Sequence, residues 1–530
     1  MPGWENFDGH FVISESRSRP FVGSGRLGSG MPHAVRPLVT LALAALLVAG
    51  CGGTSHERPA TSAAEQRATT PTTANAPGPD WPMFGITASR PDATDRATGV
   101  TAAALPHLRK AVVHLPGTVD SSAIVLRGVD VAGARRDVAF ATTTYGLTVA
   151  VDLATAKLLW TFTPPGYADF ARLQVTNAAP AADASKRYIY AASPDGEVHK
   201  LSTSDGREAT GAAWPATITR DPTHEKLTSS FLVLHGDVYV TTGGYNGDEP
   251  PYQGKVVRID GATGRIAAVF NSLCADRRAI IDPKTCPSSD SAIWGRAGAV
   301  LDPASGDLLV ASSNGPFDGR GDWSDSVLRL DARTLRLNRN WTPKSADALE
   351  QQDLDLGSSS PVVLGGGLVL QSGKDAQVHL LDARTLNGQT GPASPKLGGE
   401  LQDLPTPGRQ MTFTAPAVWH HGGRTVVFLA TQGGTTAYVV RHRRLATLWS
   451  NGNAGTSPVV AGGLLYIYDP TGKGLRVYAP ATGKPLATLP AGTGHWSSPV
   501  VTGGHVVLPE GSVNFHLRTG VMDIWTAAAR

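Results

Sequence analysis

After Asp80 the apolar positions come in short runs that read as strands, and the runs recur in a fixed order. A Ser-Pro or Ala-Pro pair leads into an apolar strand. A turn with Gly or Asp follows, then a second strand, a short gap, and a third strand ending in Asp. Residues 360–370, 457–466 and 498–507 spell the phrase most plainly, as SPVVLGGGLVL, SPVVAGGLLY and SPVVTGGHVV. The last two copies stand 41 residues apart, and earlier ones are stretched by insertions. Starts near Ser121, Asn177, Ser229, Ile293, Ser359, Ala415, Ser457 and Ser498 give eight copies.

Repeats of this length, each giving three or four strands with Gly turns, mark propeller blades. A single four-stranded sheet exposes two faces, so blades must stack in a ring to bury them. The pattern predicts an all-β fold, an eight-bladed β-propeller with four-stranded antiparallel blades over 80–530. Seven blades, or eight with one incomplete, is the nearest alternative. The last repeat shows no clear outer strand after Gly520, whereas 108–115 (LRKAVVHL) is an orphan strand ahead of the first repeat. Pairing these two would close the ring and remove the open edges that invite aggregation.

Composition agrees with many short strands. Charged residues make up 17% of the chain, with 60 Gly and 38 Pro; soluble domains average about 25% charged. The formal charge of +3 is small for 530 residues. The densest basic cluster, Arg441, His442, Arg443 and Arg444, reads as a solvated loop, so no nucleic-acid partner is expected.

The N-terminus changes the picture more. From Met31 a short basic stretch with His33 and Arg36 precedes twelve apolar residues, 38–49. That run is too short to span a bilayer core of about 30 Å. It ends in Val48-Ala49-Gly50-Cys51, which resembles a bacterial lipobox. The resemblance implies that 31–50 is a lipoprotein signal peptide and that Cys51 carries the lipid; an ordinary secretory signal is the alternative. Residues 1–30 do not fit an export signal and read as a non-native extension. Their Gly23, Gly25 and Gly28 spell G-x-G-x-x-G, but no following helix is available to meet a dinucleotide phosphate, so the match is a decoy. Residues 51–79, rich in Ser, Thr, Ala and Pro, bury too little to order themselves and read as a tether. The expected location is the outer face of the cytoplasmic membrane, in the cell envelope. In that oxidising compartment Cys274 and Cys286 are most simply a disulfide. Zinc is the rival reading, but no further ligands stand at suitable spacing.

The segment 150–160 (AVDLATAKLLW) resembles the A-x-D-x-x-T-G-K-x-x-W motif of quinoprotein propellers, with Ala156 in place of Gly. Weaker copies lie at 260–264, 331–334 and 481–484 without a Trp in register, so the docking of Trp on the next blade is not expected throughout. Residues 80–85 (DWPMFG) resemble the family's first strand. The resemblance implies the fold over 80–520, and such propellers include both dehydrogenases and non-catalytic proteins. The dehydrogenases hold pyrroloquinoline quinone (PQQ) on the axis beside Ca²⁺, which acts as a Lewis acid while an Asp takes the substrate proton. Carried over residue by residue, Glu249 and Asn314 fall at the metal ligands, Lys374 at the quinone contact, and Asp353 and Asp355 near the base. Register from Pro361 sets Gln352 at the base itself, and Gln cannot do that work. Trp294 and Trp496 are candidates to stack on a planar cofactor. Each of these residues also has a plain reading, as turn, cap or inter-blade packing. His495 and the pair His420 and His421 read as surface or turn residues.

Two functions follow. One is a lipid-anchored, non-catalytic binding or scaffold propeller, monomeric, with a cell-envelope protein or peptide as ligand. The other is a PQQ- and Ca²⁺-dependent alcohol or sugar dehydrogenase.

Overall fold

Eight antiparallel sheets follow one another along the chain in the computed structural model, which describes residues 78–245, 248–386 and 396–528. Residues 1–77, where the sequence reading places an extension, a signal peptide, Cys51 and most of a tether, lie outside the described residues. The first blade shows the plan: Ile124–Val131, Ala134–Thr142, Thr148–Asp152 and Lys157–Phe162 pair in sequence order. Its first strand is mostly buried and its fourth mostly exposed, so the first lines the axis and the fourth the rim. The first strands of the other blades start at Ala181, Leu232, Val300, Val362, Ala417, Val459 and Val500. Every repeat phrase read from the sequence thus feeds an axial strand a few residues later.

The serines and threonines of that phrase have a physical role. They hydrogen-bond from one blade to the next around the axis: Thr176 Oγ1 donates to the Leu227 carbonyl (2.8 Å) and Thr456 Oγ1 to the Ser497 carbonyl (2.8 Å). Ser122 and Ser498 share a hydroxyl hydrogen bond of 2.6 Å, which joins the first blade to the last. Short side chains suit this place because the axial strands crowd together and leave backbone carbonyls to be satisfied.

Ring closure is as the sequence predicts. Arg109–Leu115 pairs antiparallel with Gly520–Thr526 over its whole length, from Arg109 opposite Thr526 to Leu115 opposite Gly520. It is therefore the fourth strand of the eighth blade, whose other strands are Val500–Thr502, His505–Glu510 and Gly520–Thr526.

Residues 80–85 are corrected: they form no blade strand. Trp81 exchanges backbone hydrogen bonds with Val125 of blade 1, and the chain then passes under the ring. Backbone bonds join Pro82 to Ala182, Ala88 to Leu301, Pro91 to Val418, Asp92 to Val460 and Thr98 to Gly504. Between them Arg90, 2% exposed, donates to the carbonyls of Phe84 (2.5 Å) and Phe231 (2.8 Å). The segment thus visits blades 1, 2, 3, 4, 6, 7 and 8 and seals one end of the axis. A repeat phrase cannot announce this, because the segment's partners are carbonyls and amides of the whole ring.

Trp docking occurs more widely than the sequence motif shows. Trp160 donates to the Thr203 carbonyl (3.0 Å) and covers Gly206 of the next blade. Trp449 donates to the Pro480 carbonyl (2.8 Å) and covers Gly483 in the same way. The basic cluster at 441–444 is a tight hairpin turn, with His442 and Arg443 at positive φ; Arg443 reaches Asp382 of the preceding blade at 2.7 Å. Among the described residues no helix is long and apolar enough to cross a membrane.

Candidate functional site

The end of the axis opposite the sealing segment is lined by the turns that lead into the axial strands. The connection from blade 4 to blade 5 carries a short helix, Ala346–Gln352, that stops at Asp353 in the left-handed conformation (φ 54°). Gln352 turns back and donates to the Ala348 carbonyl (3.1 Å), whereas Asp353 projects toward Asn314, whose Nδ2 donates to its carboxylate (2.7 Å). The helix end thus presents a carboxylate where register alone places Gln352. Two residues on, Asp355 is buried and accepts from the Asn314 backbone N–H (3.1 Å). Its other oxygen lies 2.7 Å from Lys374 Nζ, which is 3.5 Å from Asp353. Gly373 makes the fit possible, because a Cβ there would stand 2.8 Å from the Asp355 carbonyl.

Trp294 joins the group: its indole N–H donates to Ser313 Oγ (2.5 Å), and the Lys374 ammonium lies 5.7 Å from the indole ring. Asn314, Asp353, Asp355, Lys374 and Trp294 therefore meet in one sector. Two candidates do not join them. Glu249 is exposed and has no hydrogen bond or ion pair among the described residues. Trp496 belongs to the blade 8 side, where it packs on Phe413 with ring centroids 5.2 Å apart. Beside it His495 lies in a bend, as the turn reading expects, but it is mostly buried and bonded to the fully buried Asp120 (2.8 Å) rather than at the surface.

The sequence reading missed much of the wall. Asp248, Asp290, Glu350, Asp353 and Asp355 feel one another's charge. Loss of water around its carboxyl raises the pKa of Asp353, with Lys374 opposing and Asp355 adding. Desolvation likewise raises Asp290 and Glu350, and both also feel Asp353 and Asp355. Loss of water around its carboxyl pushes Asp248 up to about 6, again with Asp355 adding. Arg296, three positions after the turn starts at Ile293, spans the centre to the carbonyls of Asp120 (3.1 Å) and Asn177 (2.9 Å). No motif flagged Asp248, Asp290, Glu350 or Arg296, because they lie in connections between strands and share no spacing.

Crowded carboxylates and one amide oxygen are donors suited to a hard cation. Asn314 Oδ1 is buried with no hydrogen-bond partner, which fits that chemistry. Lys374 and Trp294 offer a cation and a ring to a planar anionic cofactor. Elsewhere, Asp195, Glu197 and His199 hold their ligand atoms within 4.8 Å of one another. Both nitrogens of His199 are engaged, by Ser193 (2.7 Å) and Glu208 (2.5 Å). The corresponding His379 of blade 5 is bonded to Asp375 and Asp403 in the same manner. That constellation is a repeated packing device, a buried His that ties a turn to the outer part of its own blade. The disulfide between Cys274 and Cys286 is present, with Cα atoms 6.2 Å apart.

Eight four-stranded blades around one axis make the protein an eight-bladed β-propeller. Residues 93–269 match the family described as outer membrane protein assembly factor BamB. Among solved structures, quinohemoprotein alcohol dehydrogenase from Comamonas testosteroni superposes with a TM-score of 0.62 at 15% identity, over 87% of this chain and 84% of that one. The quinohemoprotein alcohol dehydrogenase ADHIIG from Pseudomonas putida HK5 gives 0.61 at 17%, over 86% and 82%. A europium-containing methanol dehydrogenase gives 0.61 at 16%, over 86% and 99%. At these identities the likeness is one of fold. No curated protein matches the chain.

Proposed function

We propose that this chain is an exported propeller, monomeric and held outside the membrane by a lipid on Cys51, that binds a cell-envelope protein or peptide without chemical turnover. The observation that carries this reading is the buried ion pair of Lys374 with Asp355. The lysine that would contact a quinone is engaged by a carboxylate of its own chain, and the exposed Glu249 makes no hydrogen bond or ion pair with the other candidates among the described residues. The match of 93–269 to a family described as an assembly factor supports a scaffold role.

A second reading rests on a different observation. Asp353, not Gln352, faces Asn314 and Lys374, so a carboxylate is available as a base. In this reading Asn314 and Asp355 would hold a hard cation, and Trp294 and Lys374 would hold PQQ. When bound, PQQ would accept the hydride of an alcohol. Asp353 would take the hydroxyl proton, and loss of water around its carboxyl raises its pKa, which makes it a stronger base.

Titration of the lipid-free mature chain with PQQ and Ca²⁺, followed by Trp fluorescence and melting temperature, separates the two. The binding reading expects no saturable quench at micromolar PQQ. A saturable quench that is lost with a chelator and with Asn314→Ala overturns it in favour of the dehydrogenase.

A further inference from the structure

Far from the axis, at the rim between blades 3 and 4, four arginines surround one groove of about 470 Å³: Arg258, Arg278, Arg333 and Arg336. Its floor is Ala267, Ala268 and Val269 of the outer strand Ile266–Asn271, which pairs on one side only. The fourth wall is the turn 331–336 of blade 4. Asp331 shapes that turn by accepting from Thr334 N–H (2.6 Å) and Oγ1 (2.7 Å). Blade 3 then staples it in place. Tyr239 Oη donates to the Ala332 carbonyl (2.9 Å), Arg258 to the Arg333 carbonyl (2.6 Å), and Arg278 to the Thr334 carbonyl.

The charges of this groove are not balanced locally. Arg258 is paired with Asp237 at 2.7 Å. Among the described residues no carboxylate lies within 4.0 Å of the Arg278, Arg333 or Arg336 guanidinium; Asp331, whose charge Arg333 feels, stands further off, so one carboxylate at a distance faces three arginines. Burial lowers the Arg278 pKa, and the charge of Arg336 lowers it further. Ordinary surface arginines spread apart into water. Here two guanidiniums are held by backbone carbonyls, and two more close the same cavity. Guanidinium forks match the oxygens of phosphate bidentately. A volume of this size falls within the range of small-ligand sites and exceeds one inorganic phosphate. The methyl groups of Ala267 and Ala268 offer a surface for an organic part.

We propose that the groove between blades 3 and 4 binds a phosphate ester, with Arg278, Arg333 and Arg336 on the phosphate and the organic part lying over Ala267 and Ala268. The ester can be a free molecule or the headgroup of a lipid; the chemistry is the same. It is independent of the axial site.

Calorimetric titration of the mature chain with glycerol phosphate, and with a short glutamate peptide, tests this. One-to-one binding of glycerol phosphate is expected, weakened at least tenfold in Arg333→Gln/Arg336→Gln. Both side chains are exposed, so that variant should melt like the parent. The remote variant Arg441→Gln/Arg444→Gln should bind as the parent does. Sedimentation with vesicles containing phosphatidylglycerol forms a second arm. Co-sedimentation that is lost in Arg333→Gln/Arg336→Gln assigns a headgroup; binding of the soluble ester alone assigns a free molecule. Binding in neither arm, equal binding by the double variant, or tighter binding of the glutamate peptide overturns the proposal.

Discussion

The ammonium of Lys374 lies 2.7 Å from a carboxylate oxygen of Asp355, with side chains only 7% and 9% exposed. A buried pair adds little over a well-packed apolar pair, but removing one partner strands the other charge. Lys374→Ala should cost about 3–5 kcal/mol in urea unfolding. Lys374→Met combined with Asp355→Leu should recover most of that. Asp353→Asn, at a side chain 70% exposed, should stay within about 0.5 kcal/mol of the parent. Equal losses for Asp353→Asn and Lys374→Ala would show that the two carboxylates share one environment.

Stability should fall on both sides of neutral pH for two identifiable reasons. Burial alone would lower the pKa of His379, but its hydrogen bonds to Asp375 and Asp403 raise it to about 9. The folded state holds this proton more tightly than the unfolded chain, whose His titrates near 6.5. Its contribution is therefore complete below about pH 6.5 and is lost as pH rises through about 9. His505 is the opposite case: burial lowers it to about 4, with Asp137 opposing and Arg127 adding. Its neutral form is favoured by folding, so stability is lost as pH falls from about 6.5 toward 4. Melting temperature against pH should show an alkaline limb that His379→Gln flattens and an acid limb that His505→Gln flattens.

The closing strand makes an alternation test. In Arg109–Leu115 Val113 is 4% exposed and Val112 is 48% exposed. Val113→Asp should destabilise by more than about 3 kcal/mol, since it buries an unpaired carboxylate. Val112→Asp, on the other face of the strand, should stay within about 0.5 kcal/mol. Chemical denaturation of both variants checks the register directly, because a one-residue slip would reverse the order.

Trp449 requires glycine beneath it. Gly483 has φ +68°, and a Cβ there would stand 2.6 Å from the indole. Gly483→Ala should cost about 2 kcal/mol through overpacking and backbone strain. In a double-mutant cycle with Trp449→Ala the two losses should fall short of additivity, since removing the indole relieves the clash. Additive losses would place the whole cost in the backbone.

The sequence by itself determined the local and the repeated. The Ser-Pro phrase, the strand periodicity and the orphan strand at 108–115 gave eight blades and the way they close, because strand pairing and facing apolar surfaces follow from alternation along the chain. With Cys51 assigned to the lipid, Cys274 and Cys286 were the two cysteines left to pair in an oxidising compartment. Tertiary structure decided what repeats cannot encode. Residues 80–85 read as a first strand, yet they open a segment that seals the axis, since its partners are backbone groups of seven different blades. Asp353 displaces Gln352 at the site because the helix Ala346–Gln352 ends in a left-handed turn, which register counting does not see. The acidic wall, Arg296 and the four-arginine groove gather side chains from separate blades, and charge interactions act through space rather than along the chain.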